Sequence, residues 1–255
     1  MSSDAGQGNK PRRIRADALR NREQILRATV DLVVEKGPAV PLEMIAKRAG
    51  VGIATLYRHF PDRMVLLRQV ALDLLRQSTH EAETALAEED DAFTALTRYM
   101  HDSIDLRIGA IMPVLAEKVP MDDELLTARQ DSREAVDEMV RQAHEERSLR
   151  ADVQSGDIGL LIIRFALPLS EALNPEDNHR LSHRHMELLL DGLLSVMADD
   201  VLPGPTIALD ELAAAPTENA GYMLIADNSV DGRSLCWRRP DGTTPPRSNG
   251  RPPSL

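Results

Sequence analysis

An all-α fold is predicted by three features of this 255-residue chain. Apolar residues recur at helical spacing through most of residues 19 to 200, and glycine or proline punctuates several of the periodic runs. The composition is 42% hydrophobic but only 3% aromatic, with Leu and Ala abundant, which favours helix packing over a strand-rich core. Finally, two short helical segments flank a tight glycine-containing turn at Ala49-Gly50-Val51-Gly52, the layout of a helix-turn-helix. The expected organisation is a basic arm over 1–18, a three-helix domain over 19–68, a larger helical domain over 69–201, and a Pro/Gly-rich tail over 202–255.

The arm carries Lys10, Arg12, Arg13 and Arg15. It reads either as a solubilising tail or as a segment that touches phosphate or the minor groove. The first helix is expected from about Leu19 to Lys36. Its inward positions are Ile25, Leu26, Thr29, Leu32 and Val33, and Gly37-Pro38 stops it. Arg22, near its start, is placed to reach a phosphate.

A second helix begins near Pro41, with Leu42, Ile45 and Ala46 buried and Lys47 and Arg48 outward. After the turn, Ile53 to Phe60 forms a third helix that presents Ile53, Leu56 and Phe60 to a core. Thr55, Tyr57, Arg58 and His59 face outward. The second helix of such a pair can enter a DNA major groove.

Asp62 is the expected N-cap of a long helix reaching about Ala87, with a stripe of Val65, Leu66, Val70, Leu74 and Leu75. That helix is predicted to be the one mechanical link between the small domain and the larger one.

Further helices follow over about 91–107 (Phe93, Leu96, Met100, Ile104), 110–118 (kinked at Pro113) and 123–147 (Leu126, Val136, Met139, Val140, Ala143 inward). The last two differ in character. Residues 160–167 are apolar on nearly all sides, and Met186, Leu189, Leu190, Leu193, Leu194 and Met197 make one broad face over 175–198. Two such surfaces are most easily buried in a two-fold four-helix interface.

The tail holds eight prolines and five glycines in residues 203–255, which argues against a packed domain. The exceptions expected there are residues 221–226, read as either a short strand or a docking segment, and Trp237 as a second anchor.

The run from Arg22 to Leu67 resembles the N-terminal domain of the TetR family of transcriptional regulators. The resemblance is carried by Ile25-Leu26, Gly37, Ile45-Ala46, Ala49-Gly50-Val51, Thr55-Leu56-Tyr57-Arg58-His59-Phe60 and Leu66-Leu67. Gly52 stands where the family often has Ser, Ala54 where Gly is commonest, and Arg63 where Lys is frequent.

The resemblance implies a sequence-specific DNA-binding regulator, most simply a repressor released by a small-molecule effector. It would act as a homodimer through residues 155–200, on a palindromic or pseudo-palindromic duplex. The expected DNA-binding residues are Arg22, Lys47, Gly52, Ile53, Ala54, Thr55, Tyr57, Arg58, His59 and Arg63. The effector would sit beneath the dimerising pair, against Phe93, Leu96, Met100, Ile104, Met112, Leu126 and Met139, where the adaptable methionines suit a ligand. A helical protein-interaction or architectural protein that binds DNA only incidentally is the alternative.

Charge fits a DNA-facing head. Residues 1–68 hold 13 Lys or Arg against 7 Asp or Glu, whereas the remainder holds 17 against 34. A head of +6 attracts a polyanion, and a body of −17 is repelled by it. No apolar run is long enough for a membrane span and no secretory leader is expected, so the predicted location is cytoplasmic, without a membrane partner. Cys236, the one cysteine, has no internal partner for a disulfide.

Neither phosphate-loop glycine strings nor a nucleophile elbow occurs, so no enzyme activity and no cofactor are expected. His179, His183, His185 and Glu187 include i,i+4 pairs. Arg180 and Arg184 interleave them, and they read as a solvated first part of the last helix rather than a metal site.

Overall fold

The computed structural model describes residues 10–167, 174–193, 223–227 and 234–238. They form α1 (Lys10–Lys36), α2 (Leu42–Arg48), α3 (Ile53–His59), α4 (Arg63–Glu88), α5 (Ala92–Asp105), α6 (Ile108–Lys118), α7 (Asp123–Glu145), α8 (Ser155–Ala166), α9 (Pro175–Leu193), β1 (Met223–Asp227) and β2 (Ser234–Arg238). The helices belong to one compact unit ending at Asp210, and the two strands to another. Among the described residues no helix is long and apolar enough to cross a membrane.

Local chemistry explains most helix boundaries. Gly37 adopts φ +83 after the last turn of α1. Asp62, Asp91 and Asp122 cap α4, α5 and α7, each carboxylate accepting the backbone N–H three residues on. Gly50 takes φ +68 in the turn between α2 and α3, a left-handed conformation that favours glycine.

Several expectations need correction. Helix α1 starts at Lys10, not Leu19, so only residues 1–9 of the arm lie outside the described residues. Pro11 falls in the first turn, where its missing N–H costs no helical bond, and the Arg/Ala-rich stretch after it propagates well. Pro41 precedes α2 as its cap rather than opening it. Helix α6 continues through Pro113.

Ile53, Val65 and Leu126, expected inside, are 37%, 42% and 50% exposed. Each lies in the first turn of its helix, where the chain is still emerging from the cap and neighbouring helices have not closed over it. Leu194 and Met197 lie outside the described residues, as do residues 221 and 222 of the expected strand. Met223–Asp227 does form a strand, paired antiparallel with Ser234–Arg238 so that Leu224 stands opposite Trp237.

Two apolar cores fill the helical unit. The first joins α1–α4 through Ile25, Leu32, Ile45, Leu56, Phe60 and Leu66, and continues into α6 and α7 through Ile111, Leu115 and Leu125. The second lies among α4, α5, α7, α8 and α9, around Leu96, Met100, Met139, Ile158 and Met186.

This corrects the view of α4 as the one link between head and body. Helix α6 packs on both α1 and α4. Arg68 of α4 grips Asp122 at 2.5 and 3.0 Å and reaches Glu124 at 2.7 Å. Arg107 lies 3.8 Å from Asp31 of α1.

Candidate nucleic-acid interface

Helix α3 is only seven residues long, too short to persist without tertiary support. Leu56 supplies that support: it is fully buried beneath the helix, and Phe60 (2% exposed) seals the end. Fixing those two side chains turns the rest of IATLYRH outward. Ile53, Ala54, Tyr57 and Arg58 are exposed, as are Gly52 just before the helix and Lys47 on α2. The face carries no carboxylate of its own.

Positive charge is sorted around this face. Arg48, read from sequence as outward, is held by Glu35 of α1 through two 2.9 Å bonds, which lower the Glu35 carboxyl below its usual range. Arg63 is half-buried and donates to the Pro38 carbonyl at 2.9 Å. Lys47 and Arg58 form no ion pair among the described residues, so their charge is available to phosphate. Arg22 lies with its guanidinium 5.8 Å from the centre of the Phe60 ring, bringing α1 to the end of the reading helix.

His59 is not simply outward. Its Nε2 is buried without a hydrogen-bond partner. Burial first, then the charges of Arg58 and Arg22, hold its imidazole below the ordinary histidine range. In free protein it is therefore neutral at pH 7. Thr55, like His59, is half-buried.

The expected effector residues divide. Leu96, Met100, Ile104 and Met139 come together in the second core, with Phe93 at its edge. Met112 belongs to the first core instead, and Leu126 faces solvent, so neither shares that space.

The same region holds polar groups that sequence periodicity did not single out. Tyr99 and Ser78 hydroxyls are 2.9 Å apart, and Ser132 donates to Ser78 at 2.9 Å. Burial raises the Tyr99 phenol above its ordinary range, keeping it protonated.

The histidines of α9 also depart from expectation. His179 and His183 meet α5 instead of forming a freely solvated turn, with His183 Nε2 2.8 Å and His179 Nε2 3.3 Å from Asp105. The missed signal was a second i,i+4 pair, His101 and Asp105, on α5.

Comparison with known proteins agrees with this geometry. Residues 25–70 match the model of the bacterial regulatory proteins, tetR family. The chain is 31% identical over 129 residues to the HTH-type transcriptional repressor LfrR of Mycolicibacterium smegmatis, an alignment spanning 49% of this chain and 68% of that protein. A TetR transcription regulatory protein from Mycobacterium vanbaalenii superposes with TM-score 0.52 at 30% identity, covering 71% of this chain and 99% of the other. A TetR regulator from Streptomyces coelicolor gives 0.51 at 29%, over 69% and 99%. The reading helix, its buried support and these similarities lead to one conclusion: this chain belongs to the TetR family of DNA-binding transcriptional regulators.

Proposed function

We propose that the protein is a homodimeric repressor that binds a two-fold symmetric operator and is released from it by a small molecule. The observation that carries the DNA-binding half is the face of α3, held from below by Leu56 and presenting Tyr57 and Arg58 to solvent. Arg58 is assigned to a base edge or phosphate, and Thr55, Tyr57, Lys47 and Arg22 to phosphate or sugar. Gly52, Ile53 and Ala54 provide the close-approaching start of the helix. His59 and Arg63 act chiefly by positioning, since both are partly buried by the head.

Dimerisation is assigned to α8 and α9. Met186, Leu190 and Leu193 are consumed by the chain's own core, so they cannot serve the partner. What remains outward is Leu167, 51% exposed, and Leu188, 62% exposed, with Leu160, Ile163 and Leu181 partly uncovered. That apolar strip supports an isologous interface, which would set the two reading helices one DNA turn apart, roughly 34 Å.

The repressor sense follows the relative from Mycolicibacterium smegmatis, which is named as a repressor. The effector is placed against Phe93, Leu96, Met100, Ile104 and Met139, where the hydroxyls of Ser78, Tyr99 and Ser132 offer hydrogen bonds inside an apolar wall. A largely apolar molecule with one or two polar groups fits that chemistry. Release requires that it bind the DNA-incompetent arrangement more tightly.

Selection of random duplexes with the purified full-length chain tests this reading. Enrichment of a palindrome whose binding weakens steeply with salt is expected, with release by compounds from a metabolite library. Equal affinity for every duplex at physiological salt contradicts the operator model.

A further inference from the structure

Five polar side chains meet where α9 crosses α5, and one buried ring nitrogen among them has no hydrogen-bond partner. His101 Nδ1 lies 2.6 Å from His183 Nδ1 and His183 Nε2 lies 2.8 Å from Asp105 Oδ1, whereas His101 Nε2, the unpartnered atom, lies 2.9 Å from Glu187 Oε1 without the alignment of a hydrogen bond. The two imidazole planes are nearly parallel, 4° apart.

Both ends of this chain are carboxylates, which only accept when ionised, and a neutral imidazole carries one N–H. Two neutral rings therefore supply two protons, which the His101–His183 and His183–Asp105 hydrogen bonds consume. His101 Nε2 is then left as a bare lone pair beside the Glu187 carboxylate, unless a metal ion takes the place of the proton between His183 and Asp105.

The Asp105 end is where other donors converge. His179 Nε2 is 3.3 Å from the same Asp105 oxygen, and the three ligand atoms of Asp105, His179 and His183 all lie within 4.8 Å of one another. Ligands of a tetrahedral zinc ion, bound at about 2.0–2.1 Å, sit about 3.3 Å apart. The groups are thus close to their ligating positions. Glu176 and Arg107 line the same open concavity. Arg107 lies 3.8 Å from Asp31 of α1, which offsets its charge.

We propose that Asp105, His179 and His183 bind a divalent cation of the zinc class, with His101 and Glu187 as its outer partners. Two imidazoles and one carboxylate suit zinc, cobalt or nickel better than magnesium or calcium. Binding through His183 Nε2 places its proton on Nδ1, where it donates to His101 Nδ1. The His101 proton then sits on Nε2, 2.9 Å from Glu187 Oε1. This carboxylate-to-histidine relay orients metal-bound imidazoles and raises their basicity. Three protein ligands leave one position for water or Glu176. The ion would clamp α9 onto α5 beside the corner from which α6 leads into the head core.

Titration of the metal-freed, full-length protein with Co²⁺ at pH 7.5, followed by visible ligand-field absorption, tests the site, with Zn²⁺ as competitor. One ion per chain is expected, displaced by zinc. His183→Ala should weaken binding at least 100-fold, and Glu187→Gln, which leaves every ligand in place, 10- to 100-fold. If His183→Ala loses helical signal, His179→Gln at a half-exposed position makes the same comparison. No Co²⁺ or Zn²⁺ uptake by the wild type overturns the proposal. Unchanged affinity in the folded ligand variants overturns it equally, by placing the ion elsewhere.

Discussion

Beneath the reading helix the buried side chains are apolar except for Thr29, whose hydroxyl donates to the Ile25 carbonyl of its own helix at 2.7 Å. The body buries Ser78, Tyr99 and Ser103 on α4 and α5, and lets Ser78, Tyr99 and Ser132 bond to one another between helices. The contrast follows from the work each region does. A reading head must present one surface unchanged, and a core that is apolar apart from Thr29 and the ring edge of His59 offers few alternative pairings. A body that senses a ligand, as proposed above, would need hydrogen-bonding groups that the ligand can recruit, at the cost of a less uniform core. The two regions share α4, α6 and the start of α7, so repacking in the body has a path of buried side chains into the head.

The largest effect is expected at Leu56. Truncation to Ala removes the side chain that seats α3 and should cost about 2–5 kcal/mol. DNA binding should be lost with it, as thermal unfolding and anisotropy on a selected duplex would show together. A loss of stability with full DNA affinity would break the link drawn between that core and the reading face.

Next comes Gly109, where α6 crosses α8. A Cβ there would lie 2.5 Å from the Ile162 carbonyl oxygen and 2.7 Å from the Ile163 Cα, both backbone atoms that cannot swing aside. Gly109→Ala should therefore destabilise by about 1–3 kcal/mol. It should also shift ligand response more than ligand-free DNA binding, because the strain enters from the body. The denaturant midpoint and the effector concentration at half release measure the two parts.

Tyr99→Phe sharpens the contrast from the other side. It deletes one hydroxyl while Ser78 retains Ser132 as a partner. Stability should fall by about 1 kcal/mol, and effector affinity by more. Equal affinity for effector would remove the hydroxyl cluster from the proposed pocket.

The smallest expected effect concerns acid. His59 has its folded pKa held below the ordinary value, so between pH about 6.5 and that lower value the unfolded chain takes a proton that the folded chain refuses. Its contribution is intact above the unfolded pKa and declines as pH falls through this window. His59→Gln should flatten the drop in denaturant midpoint between pH 7 and pH 5. An unchanged slope would show that His59 does not carry the drop.

The head was more legible in the sequence than the body, and the reason is range. Asp62 capping α4, Gly37 ending α1, and Leu56 beneath Tyr57 and Arg58 follow from neighbours a few residues apart. Periodicity names the inward stripe of a helix but not where its partner stops, which is why Ile53, Val65 and Leu126 were placed inside. Pairings across long separations left no local trace. Arg68 with Asp122 spans 54 residues and His101 with His183 spans 82, and neither pair is visible until the helices are stacked. Arg48 shows the limit most plainly, since its spacing placed it outward and only the fold brings Glu35 to it.

On the proposed reading, the exposed face of α3 contacts DNA while the core beneath only holds it. Affinity of Arg58→Ala for a selected duplex, measured beside its thermal midpoint, tests this most directly. Arg58 is exposed and forms no ion pair among the described residues, so its removal should leave the midpoint within about 0.5 kcal/mol of wild type. Affinity should fall by about 1–3 kcal/mol, or roughly 5- to 150-fold. Wild-type affinity in a fully folded Arg58→Ala protein would contradict the account.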